Sequence, residues 1–201
     1  MTRPSKLALV TSTIYEMVRI VVQDAAPGAT VKVAQPRAIS PGAPPEVNIY
    51  CYQITPNETH RNDSLALRNA AGAQVREDHV AVDLHYLITF SGEDDFASER
   101  MAEAVIGQFN LFPTITDDAV KKLSGVQPIG GEEPPTLLRP VSLTPQYLRL
   151  DELNKLWTVF SQAAHRLSVQ YVASPVLFTA PTPNAIVHSP SSADVARRTI
   201  R

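Results

Sequence analysis

Residues 80–91 read VAVDLHYLITFS, and this stretch decides the fold class. Side chains alternate between the two sides of a strand. Val80, Val82, Leu84, Tyr86 and Ile88 therefore share one face, and Asp83, His85, Leu87 and Thr89 share the other. This is the strongest strand pattern in the chain. Upstream, residues 47–54 read VNIYCYQI, with Val47, Ile49, Cys51 and Gln53 alternating against Asn48, Tyr50, Tyr52 and Ile54. Both of its faces are mostly apolar, which predicts an interior strand. Between the two strands, residues 58–78 are polar and contain Ala70-Ala71-Gly72. They read as a long loop, of the kind that is usually functional or disordered.

Working outward toward the N-terminus, Leu7, Val10, Ile14, Val18, Val21 and Val22 recur at helical spacing over residues 5–23, with Ser5 as N-cap. Ala26-Pro27-Gly28 breaks this helix, and Thr30, Val31 and Val33 supply a short strand. Four prolines over residues 36–45 mark a loop.

Toward the C-terminus, Glu93, Asp94 and Asp95 suit the positive end of a helix dipole. The helix they open would carry Met101, Val105, Ile106, Phe109 and Leu111 to the core and end at Phe112-Pro113. A short helix follows at 117–123, a Gly/Pro-rich turn region at 126–135 and a strand at 137–143. A second amphipathic helix at 151–160 has its stripe on Leu153, Leu156, Trp157 and Phe160, and Leu167, Val169 and Tyr171 alternate in a closing strand within 165–179. The expectation is an α/β (α+β) single domain over residues 1–180, with a mixed, mostly antiparallel sheet flanked by helices. Residues 181–201 form a Pro/Ser-rich flexible arm. Core positions are Ile49, Cys51, Leu84, Tyr86, Ile88 and Trp157.

The 201 residues fit one domain, and a hydrophobic share of 44% with a charged share of 19% is that of an ordinary globular chain. A formal net charge of -2 with scattered Lys and Arg provides no field for neutralising phosphates, so nucleic acid is not an expected partner. No run of about 18 apolar residues exists to span a bilayer, and Glu16 and Arg19 interrupt the N-terminal helix. Neither a signal peptide nor direct membrane insertion is expected. The single cysteine, Cys51, excludes an internal disulfide and sits where a buried thiol would.

The chemistry-bearing residues form no recognisable motif. His60, His79, His85, His165 and His188 are dispersed, without zinc-ligand spacing. There is no nucleophile elbow, phosphate loop or dinucleotide fingerprint. The acidic trio at 93–95 lacks the ligand spacing and glycine of a calcium loop. Asp83 and His85 share a strand face, and a solvent or subunit-contact face is favoured over an acid-base pair. The expectation is no enzyme, no cofactor and no metal.

Four ordered segments carry a resemblance: VNIYCYQITPNETHRND at 47–63, VAVDLHYLITFSGED at 80–94, LDELNKLW at 150–157 and HRLSVQYVASPVLF at 165–178. Together with the opening helix, their order and spacing resemble the N-terminal domain family of cap proteins in extracellular, phage-tail-like contractile injection systems, relatives of phage tail terminators. The resemblance implies a structural subunit assembled in the cytoplasm into a hexameric ring. This ring would end the inner tube and anchor the last sheath layer, with the inner-tube protein, the sheath protein and further copies of itself as partners. Another tail-completion or baseplate-associated protein is the alternative, and an unrecognised small-molecule enzyme a distant third. Candidate contact residues beside the matching segments are Asn57, Arg61, Asn62, Arg68, Asp83 and His85.

Overall fold

The computed structural model describes residues 5–40, 42–60, 79–92, 96–124, 136–160 and 163–179. Helix α1 (Lys6–Ala25) starts where its cap predicts: the Ser5 side chain accepts from the Ala8 amide at 3.2 Å, satisfying one donor that a helix start leaves open. Leu9, Val10, Ile14, Met17, Val18 and Val22 form its buried face. Thr13 and Glu16 are buried with them. The Thr13 hydroxyl donates to the Leu9 carbonyl at 2.9 Å, and Arg19 holds the Glu16 carboxylate at 2.8 Å. The chain then reverses through Gly28 at φ 87, a left-handed geometry that glycine adopts without a Cβ penalty.

The remaining elements are β1 (Thr30–Val33), β2 (Glu46–Pro56), β3 (His79–Ser91), α2 (Ala97–Leu111), β4 (Thr114–Ile115), α3 (Asp117–Ser124), β5 (Val141–Gln146), α4 (Leu150–Thr158) and β6 (Ser168–Thr179). The strands form one sheet in the order β1-β2-β3-β6-β5-β4. Only β1 and β2 pair in parallel; every other pairing is antiparallel. This is the mixed, mostly antiparallel α+β sheet that the sequence predicts.

The sheet has two differently covered faces. Val47, Ile49, Leu84, Tyr86, Ile88, Phe90, Tyr171, Ala173 and Val176 pack with α1, α2 and α3 in the main core. On the opposite face, Leu87, Trp157 and Phe160 form a smaller cluster with Tyr50, Tyr52, Leu153 and Leu156, beneath α4. Ile49, Leu84, Tyr86, Ile88 and Trp157 are buried as expected. Cys51 is only half-buried, and burial pushes its thiol pKa up.

Several expectations need correction. Cys51 pairs with Tyr86 and Gln53 with His85, so Tyr52 is an extra residue on β2. Such a bulge reverses the alternation beyond it. Gln53 therefore lies on the α4 face, and Ile54, paired with Leu84, on the other. Ile106 and Leu111 of α2 are 44% and 69% exposed. The buried stripe runs through Met101, Val105 and Phe109 at steps of four, with Ala97 and Ala102 beside it, and Ile106 is rotated about 100° away. The strand expected at 137–143 begins only at Val141 and runs to Gln146, because the Leu137 amide is taken by the Asp117 carboxylate at 2.6 Å. The final strand starts at Ser168. β4 was not anticipated. The acidic trio at 93–95, most of the long loop (61–78), the Gly/Pro-rich region and the C-terminal arm lie outside the described residues.

Candidate assembly surface

The α4 face of the sheet carries the polar residues that the sequence singles out, and the strand register explains how they come together. Asn57 follows β2 and is 6% exposed. Its amide N–H donates to the Ala81 carbonyl at 3.0 Å. Its side-chain Nδ2 donates to Asp83 Oδ1 at 2.7 Å and to Ser174 Oγ at 3.1 Å, while its Oδ1 accepts from the His60 amide at 2.8 Å. One asparagine thus ties the end of β2 to β3 and β6 and to the start of the following segment. A buried amide needs such partners, because each one left unsatisfied costs about 1–3 kcal/mol.

His85, two residues along β3, occupies a separate cluster. Its Nε2 lies 2.9 Å from Thr55 Oγ1 and its Nδ1 lies 3.1 Å from Gln146 Oε1, which also accepts from the Tyr52 hydroxyl at 3.4 Å. Since Gln146 Oε1 can only accept, Nδ1 carries a proton, and the Thr55 hydroxyl serves Nε2. Asp83 and His85 share a face, as predicted, but each is held by different neighbours. The arrangement is a set of strand-to-strand ties. Arg61, Asn62 and Arg68 lie outside the described residues. The partners Thr55, Gln146 and Ser174 were missed by sequence reasoning, because only the register of β2, β5 and β6 brings them near Asn57 and His85.

Chemistry of other kinds finds little to hold it. Among the described residues, no group of three His, Cys, Asp or Glu side chains is placed to bind a metal ion. Two open clefts of about 380 Å³ adjoin Ala38, one reaching Arg166 and the other Phe160. The Arg166 guanidinium donates to the Arg37 carbonyl. The Tyr86 phenol is pushed well up by burial. It lies in the main core, 2.8 Å from the Thr11 hydroxyl and away from both clefts.

Several large apolar residues are exposed. Tyr147, Leu150 and Val159 flank α4, Leu111 and Phe112 end α2, and Val33 and Ile54 lie on the β1–β2 side of the sheet. No helix among the described residues is long and apolar enough to cross a membrane.

Solved structures share the fold. The sheath/tube terminator of the extracellular contractile injection system PVC, in its extended state, superposes with a TM-score of 0.57 at 14% identity, covering 98% of this chain and 71% of that one. The tube-terminating cap of the anti-feeding prophage gives a TM-score of 0.54 at 17% identity, covering 87% of this chain and 55% of the cap. The chain thus spans about half of that cap's length. No curated protein matches it in sequence. The family profile of the Pvc16 N-terminal domain, however, matches residues 9–187, nearly the whole chain. The chain therefore belongs to the Pvc16 N-terminal domain family.

Proposed function

We propose that this protein is the structural cap of a contractile injection system, a hexameric ring that terminates the inner tube and anchors the last sheath layer. The observation that carries this reading is the family match over residues 9–187. It is supported by a fold shared with a sheath/tube terminator over 98% of the chain. The work is mechanical and needs no reactive side chain. It needs a stiff sheet, a subunit contact that repeats around a closed ring, and polar segments shaped to the ends of tube and sheath.

On this reading, Asp83 and His85 line a contact face. Asn57 fixes the start of the following segment as far as His60, and Arg61, Asn62 and Arg68 beyond it contact the inner-tube or sheath protein. The ring assembles in the cytoplasm as part of the particle. Neither of the two clefts beside Ala38 gathers a set of perturbed titratable groups, which favours this over a small-molecule enzyme. Both solved relatives are described as terminators or caps, which favours it over a baseplate component.

Electron microscopy of particles from cells lacking the chain tests the proposal. Tubes of uncontrolled length, or tubes that have shed their sheath, are the expected result. Uniform, fully sheathed tails with an intact capped end would sink it.

A further inference from the structure

The two edges of the sheet are finished differently. At one edge, β4 covers only Val141 and Ser142 of β5. The Leu143 amide donates outward to the Pro113 carbonyl at 2.7 Å, so the next outward-pointing backbone nitrogen of β5 belongs to Pro145, which has no N–H. Proline at that register prevents another strand from adding. At the opposite edge, the Thr30 amide donates to Pro45 and the Ala34 amide to Ile49. Backbone groups alternate sides along a strand, so the N–H and C=O groups of Val31 and Val33 point away from β2. No backbone bond among the described residues takes them. β1 contains neither a proline nor a bulge. Its edge lysine, Lys32, has its charge neutralised by Glu46, and Val33 is 52% exposed beside the open groups. Among the described residues, this edge is protected only by its shortness and by the neutralised Lys32, with no proline, bulge or paired strand to block addition.

The chain carries a segment suited to that edge. Beyond Thr179, residues 184–189 (NAIVHS) are the only proline-free stretch before Pro190, with Pro181 and Pro183 just upstream. Ile186 and Val187 are β-branched, and the length is close to that of the four-residue β1. The family match runs to residue 187, past the end of β6. The geometry excludes the chain's own β1 as the acceptor. Val33 pairs with Ile49, Ile49 with Ile88 and Ile88 with Val169. Val33 therefore lies three strands across and ten residues along β6 from Thr179. At ~4.8 Å per strand and ~3.3 Å per residue this separation is roughly 35 Å. The link through residues 180–183 reaches about 18 Å at full extension.

We propose that the β1 edge accepts residues 184–189 of a second copy as an added strand, each subunit donating to the next around the ring. This rests on the ring reading above and supplies its contact. The contact is heterologous, with a donor segment on one side of each subunit and an acceptor edge on the other. That arrangement closes into a cycle when the rotation between neighbours allows it, and main-chain pairing with alternate side chains in pockets gives it affinity and direction.

Two full-length variants test it by sedimentation and native mass spectrometry at micromolar chain concentration. The double substitution Ile186→Asp, Val187→Asp disables the donor. Val33→Pro disables the acceptor and removes only an outward N–H. Wild-type chain is expected to form oligomers and each variant to remain monomeric, while an equal mixture of the two forms a dimer, because one donor and one edge remain intact. A donor variant that keeps the wild-type oligomer overturns strand addition and leaves the ring reading standing. A mixture that stays monomeric, with both variants folded by circular dichroism, also overturns it. A wild-type chain that never self-associates overturns both readings. If Val33→Pro fails to fold, the donor variant decides alone: loss of the oligomer upholds the proposal and its retention overturns it.

Discussion

The two faces of the sheet divide the molecule's work. The face beneath α1, α2 and α3 is close-packed, with Ile49, Leu84, Ile88, Phe90, Met101 and Phe109 all at or near zero exposure. Its polar ties among the described residues include the Tyr86 hydroxyl on Thr11 and the Glu16 carboxylate on Arg19. The face beneath α4 buries a small aromatic cluster, in which Phe160 meets Tyr50 edge-on at 5.6 Å and Trp157 at 5.5 Å. The rest of that face carries hydrogen-bonded side chains, Asn57, Asp83 and His85 among them, although the Thr89 hydroxyl has no partner among the described residues. Apolar burial scales with area and is indifferent to detail, whereas each polar tie depends on one partner at one distance. The first face should therefore set stability, and the second should set the shape that neighbours meet.

The largest effect expected is on the helix-covered face. Phe109 is 2% exposed and stacks edge-on against Tyr171 at 4.8 Å. Phe109→Ala should cost about 3–5 kcal/mol, read as a fall in denaturant midpoint with little change in slope. A loss below about 1 kcal/mol would mean that this face does not dominate.

Asn57→Ala comes next, at about 1–3 kcal/mol, because Asp83, Ser174 and the His60 amide lose a partner together. Leu84→Met, a volume-conserving change on the other face, is the control. If Asn57→Ala is no more costly than this control in urea unfolding, the corner at Asn57 is not a structural tie.

Much of the division was legible in advance. The opening helix and the strands around residues 47–54 and 80–91 are long enough for periodicity to identify them, and the alternation in β3 separated Leu84, Tyr86 and Ile88 from Asp83 and His85 correctly. What was not legible depends on register. The Tyr52 bulge moves Gln53 to the α4 face, and no local signal announces an inserted residue. β6 lies between β3 and β5 although α2, α3 and α4 intervene in sequence. The pairing of Gln146 with His85 and of Ser174 with Asn57 follows from that order alone. β4 spans two residues, too few for any period to show.

Alkaline pH should act on the helix-covered face through Tyr86. Burial raises the pKa of its phenol above the ordinary value, with the hydrogen bond shared with Thr11 opposing it. Below about pH 10 the phenol is protonated in both folded and unfolded chains and contributes no pH dependence. Above that, the unfolded chain releases its proton first, so stability falls with rising pH by about 1.4 kcal/mol per unit from this group. Tyr86→Phe should flatten the decline in a series of melts between pH 9 and 11. An unchanged slope would place the alkaline sensitivity elsewhere.

The smallest effect expected is at the centre of the α4 face. Trp157 Nε1 is buried, and no hydrogen-bond acceptor meets it among the described residues. Trp157→Phe removes apolar area from the cluster beneath α4, which destabilises, but it also removes a desolvated N–H that costs about 1–3 kcal/mol to leave unpaired. The two terms oppose each other, so the net change should stay under about 1 kcal/mol, well below that of Phe109→Ala. Trp157→Ala separates them, since it loses the full ring packing against Phe160 and should cost several-fold more. If Trp157→Phe were instead as damaging as Phe109→Ala, the indole N–H would have to be satisfied in the folded protein, and the α4 face would be as tightly specified as the other.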